Sequence, residues 1–92
     1  MSESLSTTIQ KPRGGHIAIG GIPWLARMID KARLEAAGTI DALDLEYPCP
    51  MDQTLLAQLG IDGATFQQIA LEAENDEAIL ARLNAIKAGQ AV

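Results

Sequence analysis

Four stretches of this chain carry aliphatic side chains at helical spacing, and this periodicity constrains the fold more than any other feature. Steps of three and four residues place such side chains on one face of a helix. The pattern predicts a first helix over residues 23–37, because proline suits a first helical turn and Gly38 follows as a stop. It also predicts a short second helix that follows Asp52, as its N-cap, and ends at Gly60.

The second half of the chain continues the same pattern. Asp62 is the expected N-cap of a third helix, and Asn75 or Asp76 of a fourth that runs to about Ala88 and stops at Gly89. We therefore expect an all-α fold, a compact bundle of about four helices, two of them short. Its core must be aliphatic, since the sequence holds one Trp, one Tyr and one Phe.

Two segments do not fit the helical pattern. Residues 16–22 (HIAIGGI) alternate weakly between glycines, which predicts a short N-terminal strand or an extended segment on the body. Pro48 and Pro50 flank Cys49, and we expect them to keep this Pro-Cys-Pro corner extended. Residues 1–15 are polar and lack periodicity, so we expect a flexible tail before a single domain over residues 16–92.

The charge is unevenly distributed along the chain. Residues 1–33 carry five basic and two acidic side chains, whereas residues 34–92 carry two basic and ten acidic ones, and the net charge is −5. An acidic protein repels phosphate backbones, so we expect no nucleic-acid partner. The asymmetry favours pairing between the first helix and later acidic segments, or a head-to-tail contact between two copies.

Cysteine and histidine usage sets expectations for compartment and cofactors. One cysteine excludes an internal disulfide, and no signal peptide or membrane-spanning apolar run is evident, so we expect a cytoplasmic protein without membrane contact. His16 is the only histidine, and it is distant in sequence from Cys49. We therefore expect neither a metal site nor a cofactor.

Three segments of the chain resemble a known family. They are PWLARMIDKARLEAAGT from Pro23, YPCPMDQTLLAQLGID from Tyr47, and NDEAILARL from Asn75. Their order and spacing, over about residues 21–83, resemble a family of small bacterial proteins described as a domain of unknown function and numbered 5069. The resemblance implies a mainly helical domain but no particular reaction. If the family motif marks a site, the matching residues are Arg27, Asp30, Lys31, Tyr47, Cys49 and Asp52.

Arg27 and Lys31 lie one helical turn apart and share a face, on the side away from the apolar stripe. Together with Asp30 and Tyr47 they are candidates for holding a small anionic ligand. The alternative is that these cations pair with acids of later helices, such as Asp52 or Asp76, and this alternative is the more common arrangement.

Cys49 and Asp52 are the candidate catalytic residues. A thiol near a helix N-terminus and a cation is a candidate nucleophile or redox sensor. A buried thiol would instead be an inert part of the core, and Asp52 opposes formation of a thiolate. For Asp52 itself, the capping role competes with that of a general base.

Two functions are consistent with these patterns. We expect a small helical interaction or accessory module, self-associating as a homodimer or bound to a protein partner, because the chain is short and lacks a recognisable catalytic set. The alternative is a small-molecule-binding protein or enzyme. Its site would lie between the Arg27/Lys31 face and the corner at residues 47–52, with Cys49 as the reactive group.

Overall fold

The computed structural model describes residues 11–91, including the side chains of residues 11–87. The elements are four α-helices and one short 3₁₀ helix, and no strand occurs within this range. In order they are α1 (Leu25–Ala37), the 3₁₀ helix (Ile40–Leu43), α2 (Pro50–Leu59), α3 (Gly63–Glu72) and α4 (Asp76–Ala91). The prediction of an all-α bundle is confirmed.

The core is an aliphatic cluster with one aromatic ring, Phe66, at full burial. Helix α3 contacts α1, α2 and α4, and its largest contact is with α1. The buried members come from all four helices: Leu25, Met28, Ile29, Ala32, Leu55, Leu56, Leu59, Phe66, Ile69, Ala70, Ile79 and Leu83. Helical spacing therefore identified most of the inward positions, but Ala36 on the apolar stripe of α1 is exposed, and Lys31, predicted to face outward, is buried.

The helix boundaries depart from the prediction at three places. Helix α1 begins at Leu25 rather than at residue 23, because Trp24 adopts a left-handed conformation with φ 75°. Helix α2 begins at Pro50, and its N-cap is Cys49, so the predicted N-cap role of Asp52 is wrong. Helix α4 passes through Gly89 to Ala91, which corrects the predicted stop.

The predicted cap of α3 is confirmed, and the cap of α4 is now assigned. The Asp62 carboxylate accepts a hydrogen bond from the backbone N–H of Thr65 at 2.8 Å. In the same way, the side-chain oxygen of Asn75 accepts from the N–H of Ala78 at 2.8 Å. Each bond satisfies one of the donors that a helix N-terminus leaves free.

Within the segment 16–22, residues 19–22 form a tight turn rather than the predicted short strand. Ile19 and Ile22 exchange two backbone hydrogen bonds, of 3.2 and 3.0 Å, in an isolated bridge. Between them Gly20 and Gly21 have φ values of 59° and 79°, which glycine adopts without steric cost. His16 is exposed.

The predicted flexible tail falls largely on residues 1–10, which lie outside the described residues, so its mobility stays a prediction. The described part, residues 11–15, lies against the helices. Arg13 Nε is 2.9 Å from Asp30 Oδ2 in α1, and Arg13 Nη1 is 2.6 Å from Asp76 Oδ2 at the start of α4. The backbone of Trp24 also donates to the carbonyl of Gly15 at 3.0 Å.

Candidate functional site

The N-terminus of α2 faces α1, and this packing brings Lys31 to Cys49 and Asp52. Lys31 Nζ donates to Asp52 Oδ2 at 2.8 Å and to Cys49 Sγ at 3.1 Å. The prediction placed Lys31 on the face away from the core, whereas the side chain is 3% exposed. A buried ammonium is stable only when it is paired and hydrogen-bonded, and both conditions hold here.

Asp52 supplies the opposite charge. Its side chain is 0% exposed, and its two oxygens accept three hydrogen bonds. Trp24 Nε1 donates to Oδ1 at 2.7 Å, and Oδ2 accepts from Lys31 Nζ and from the backbone N–H of Cys49 at 3.0 Å. As the third residue of α2, Asp52 also lies at the positive end of the helix dipole. Its carboxylate is therefore stabilised from several directions.

Cys49 connects this buried ion pair to the surface. It precedes α2 in an extended conformation, as the N-cap, and it is partly buried. As a whole residue, Cys49 is thus neither fully buried nor freely exposed. The sulfur therefore lies beside the ammonium of Lys31, at the N-terminus of α2 and close to the carboxylate of Asp52.

Trp24 is a member of this cluster that the sequence analysis did not place among the site residues. Its indole lies within reach of two cations: Lys31 Nζ is 6.0 Å from the ring centroid, and Arg27 Cζ is 5.5 Å from it. The sequence offers one general signal for Trp24, since an indole N–H usually has an acceptor when the ring is buried. We define the Lys31 cluster as Trp24, Lys31, Cys49 and Asp52.

The other three candidate residues lie outside the Lys31 cluster. Arg27 stacks on the indole and donates from Nη1 to the carbonyl of Arg13 at 3.2 Å. Asp30 accepts from the Arg13 side chain instead. Tyr47 donates from its hydroxyl to the carbonyl of Gly63 at 2.7 Å, which ties the corner to the start of α3. Burial raises the pKa of the Tyr47 phenol well above its usual value.

A second charged cluster lies at the other side of α1, where Arg13 bridges Asp30 and Asp76. The hydrogen bonds to Asp76 and Asp30 raise the pKa of Arg13, and the hydrogen bond from Arg13 lowers the pKa of Asp76. A groove of about 570 Å³ runs beside this cluster. It is lined by Lys11, Arg13, Asp30, Arg33, Leu34, Asn75 and Asp76.

The described residues do not group His, Cys, Asp and Glu side chains in a way that would hold a metal ion. Along residues 11–91, no helix combines the length and apolar character that crossing a membrane requires.

Comparison with known proteins identifies the family. Among curated proteins, none matches the chain. The sequence model of the family described as "Domain of unknown function (DUF5069)" matches residues 9–91, which is most of the chain and includes every residue of the Lys31 cluster. The resemblance found in three separate segments thus extends over the intervening residues, and the chain belongs to the DUF5069 family.

Proposed function

We propose that the domain acts through the thiol of Cys49, as a site that reacts with small electrophilic or oxidising molecules. The observation that carries this proposal is the 3.1 Å contact between Lys31 Nζ and Cys49 Sγ at the N-terminus of α2. The proposed function is a form of the second alternative from the sequence, a small-molecule-binding protein or enzyme. The participating residues are Lys31, Cys49 and Asp52.

Two physical arguments support a reactive thiol. A cationic N–H donor and a helix N-terminus stabilise the thiolate, which is the nucleophilic form of cysteine. Cys49 as a residue is only partly buried, and the proposal requires that small reagents reach its sulfur. Asp52 works in the opposite sense, but three donors compensate its charge. A reducing compartment such as the cytoplasm would keep the single cysteine as a thiol, so that location remains part of the proposal.

Alkylation kinetics test this function. The rate constant for reaction of Cys49 with iodoacetamide at neutral pH would be measured for the folded protein and for a peptide of residues 44–54. We expect the folded protein to react several-fold faster, because the Lys31 ammonium stabilises the attacking sulfur. A folded thiol that reacts more slowly than the peptide would show that Cys49 is structural.

A matched pair of variants separates the effect of Lys31 from that of general charge. Lys31→Met removes the donor at the sulfur, and we expect the rate to fall toward that of the peptide under conditions in which circular dichroism shows the variant to be folded. Arg27→Gln removes the same charge one helical turn away, where the side chain contacts Trp24 rather than Cys49. We expect it to leave the rate unchanged, and an equal fall in both variants would contradict a specific role of Lys31.

A protein-interaction role is the second candidate, as a homodimer or with another protein. The observation that favours it is the exposure of two large apolar side chains, Met51 and Leu71, each 56% exposed. Sedimentation velocity over a wide concentration range tests self-association, with Met51→Gln and Leu71→Gln as separate variants. A monomer at every concentration, with unchanged stability, would exclude the homodimer.

A further inference from the structure

We propose that oxidation joins Lys31 to Cys49 through one oxygen atom, giving an Nζ–O–Sγ bridge that serves as a reversible modification. The proposal rests on the proposed function in one respect, since the Cys49 sulfur must be open to a small oxidant. It goes further in naming the oxidant class, hydroperoxides, and the residue that captures the oxidised sulfur.

The geometry favours this partner over any other nucleophile. An oxidised cysteine is normally captured by a second thiol, and Cys49 is the only cysteine of the chain. Lys31 Nζ already lies 3.1 Å from the sulfur, and Asp52 fixes its position from 2.8 Å. The amine is therefore held at the sulfur before any oxidant arrives.

The same separation favours a bridging oxygen over a direct bond. A sulfur–nitrogen bond would require a long approach of the two atoms and would pull Lys31 away from Asp52. One oxygen between Sγ and Nζ requires only a slight contraction. Close-packed interiors resist large displacements, so the smaller movement is favoured.

The reaction balances with two molecules of hydrogen peroxide. The reactants are the Cys49 thiol, the Lys31 ammonium and the Asp52 carboxylate. The products are the S–O–NH bridge, the neutral Asp52 carboxylic acid and three molecules of water. One S–O and one N–O bond form, two peroxide O–O bonds break, and the four electrons lost by sulfur and nitrogen reduce the two peroxides.

Asp52 has a defined part in this step. Nitrogen bonds to oxygen only as a free amine, so Lys31 must lose a proton, and Asp52 Oδ2 is 2.8 Å away to accept it. The transfer neutralises both charges of the buried pair together. It avoids an unpaired carboxylate in the interior, which would be strongly unfavourable.

Mass spectrometry of the peroxide-treated protein tests the bridge. We expect a gain of about 14 Da, one oxygen less two hydrogens, rather than the ~16 Da of a sulfenic acid or a methionine sulfoxide. A thiol reductant should reverse the gain. Trypsin digestion of the oxidised protein, without reductant, should release residues 34–82, a single peptide that contains Cys49, covalently linked to the peptide that contains Lys31.

Two variants test which lysine reacts. The linked peptide from the wild-type protein is evidence for the bridge even if a variant does not fold. Lys31→Arg keeps a cationic donor but offers no primary amine, so the ~14 Da gain should be absent. Lys87→Arg makes the same replacement on the exposed part of α4 and should leave the gain intact. Persistence of the gain in Lys31→Arg would overturn the proposal.

The remaining outcomes distinguish this proposal from the proposed function. A sulfenic acid that accumulates at Cys49, or a disulfide between two copies of the chain, would overturn the bridge but leave a reactive thiol. Oxidation confined to methionines such as Met51 would overturn both. The linked peptide with its ~14 Da gain, reversed by reductant, would establish the bridge.

Discussion

Lys31 and Asp52, which are 21 positions apart in the chain, form an ion pair of 2.8 Å inside the protein, with side chains that are 3% and 0% exposed. Such a pair is a weak contributor to stability in itself, because removing two charges from water offsets most of their attraction. Its consequence is a strong mutual dependence. Either charge without the other would be buried and uncompensated.

Lys31→Met is therefore expected to destabilise the protein by about 3–5 kcal/mol, since it leaves the Asp52 carboxylate buried without its counter-ion. Urea-induced unfolding at neutral pH measures the change. Lys87→Met on the exposed surface is the control and should stay within about 0.5 kcal/mol of the wild type. If the unfolding free energy changed as little in Lys31→Met as in Lys87→Met, Asp52 could not be a buried carboxylate.

The indole hydrogen bond to Asp52 should contribute more than the phenol hydrogen bond to Gly63. Trp24→Phe removes a donor to a charged oxygen and is expected to cost about 1.5–3 kcal/mol. Tyr47→Phe removes a neutral hydrogen bond and should cost about 0.5–1.5 kcal/mol. Chemical denaturation followed by circular dichroism compares the two variants, and the reverse order would contradict the assignment.

Acid should weaken the contact between Arg13 and Asp76. The hydrogen bond from Arg13 lowers the pKa of Asp76 below its usual 3.8, so the stabilisation is complete above that value. It is lost as the pH falls through the lowered pKa of the folded state. Both side chains are about one-third exposed, so the contribution should be about 1 kcal/mol or less.

Two variants identify this part of the pH dependence. Unfolding free energies measured from pH 6 to pH 2 should fall less steeply in Arg13→Gln than in the wild type. Lys87→Gln also removes one positive charge, in this case from α4, but leaves the Arg13–Asp76 contact intact. Its unfolding free energy should depend on pH as steeply as that of the wild type. Equal slopes in the wild type and Arg13→Gln would show that this contact contributes nothing.

The N-cap of α3 gives a prediction with an internal control. Asp62→Ala removes the acceptor for the Thr65 N–H and is expected to lower the midpoint of thermal unfolding. Asp62→Asn retains a side-chain acceptor at the same position and should recover most of the loss. Thermal unfolding measures both, and a loss of similar size in the two variants would argue that the charge rather than the cap is important.

Most of the fold could be predicted from the sequence because helices depend on local rules. The aliphatic stripes, Gly38, Gly60 and the Asp62 cap all refer to neighbours within one or two turns. The start of α2 differs from the prediction because proline breaks a helix only when it lies beyond the first turn. Proline lacks only an N–H that the first turn leaves unpaired, so Pro50 begins the helix instead.

The candidate site was predicted only in part. The sequence predicted Lys31, Cys49 and Asp52 as site residues, and the structure brings these three together. The sequence also predicted Asp30. That residue is adjacent to Lys31 and therefore lies about 100° away around the helix, where it meets Arg13. Helical spacing predicts such angles within one helix. It does not say which other element each direction faces.

The sequence by itself therefore determined four helices, most of their inward-facing positions and several of their caps, since these follow from residues within a few positions of one another. The tertiary structure alone decided that Lys31 is buried, that Trp24 donates to Asp52, and that Cys49 lies at the edge of this pair. These contacts join residues 18 to 28 positions apart. They exist because α1 packs beside the start of α2, and no local propensity specifies that packing.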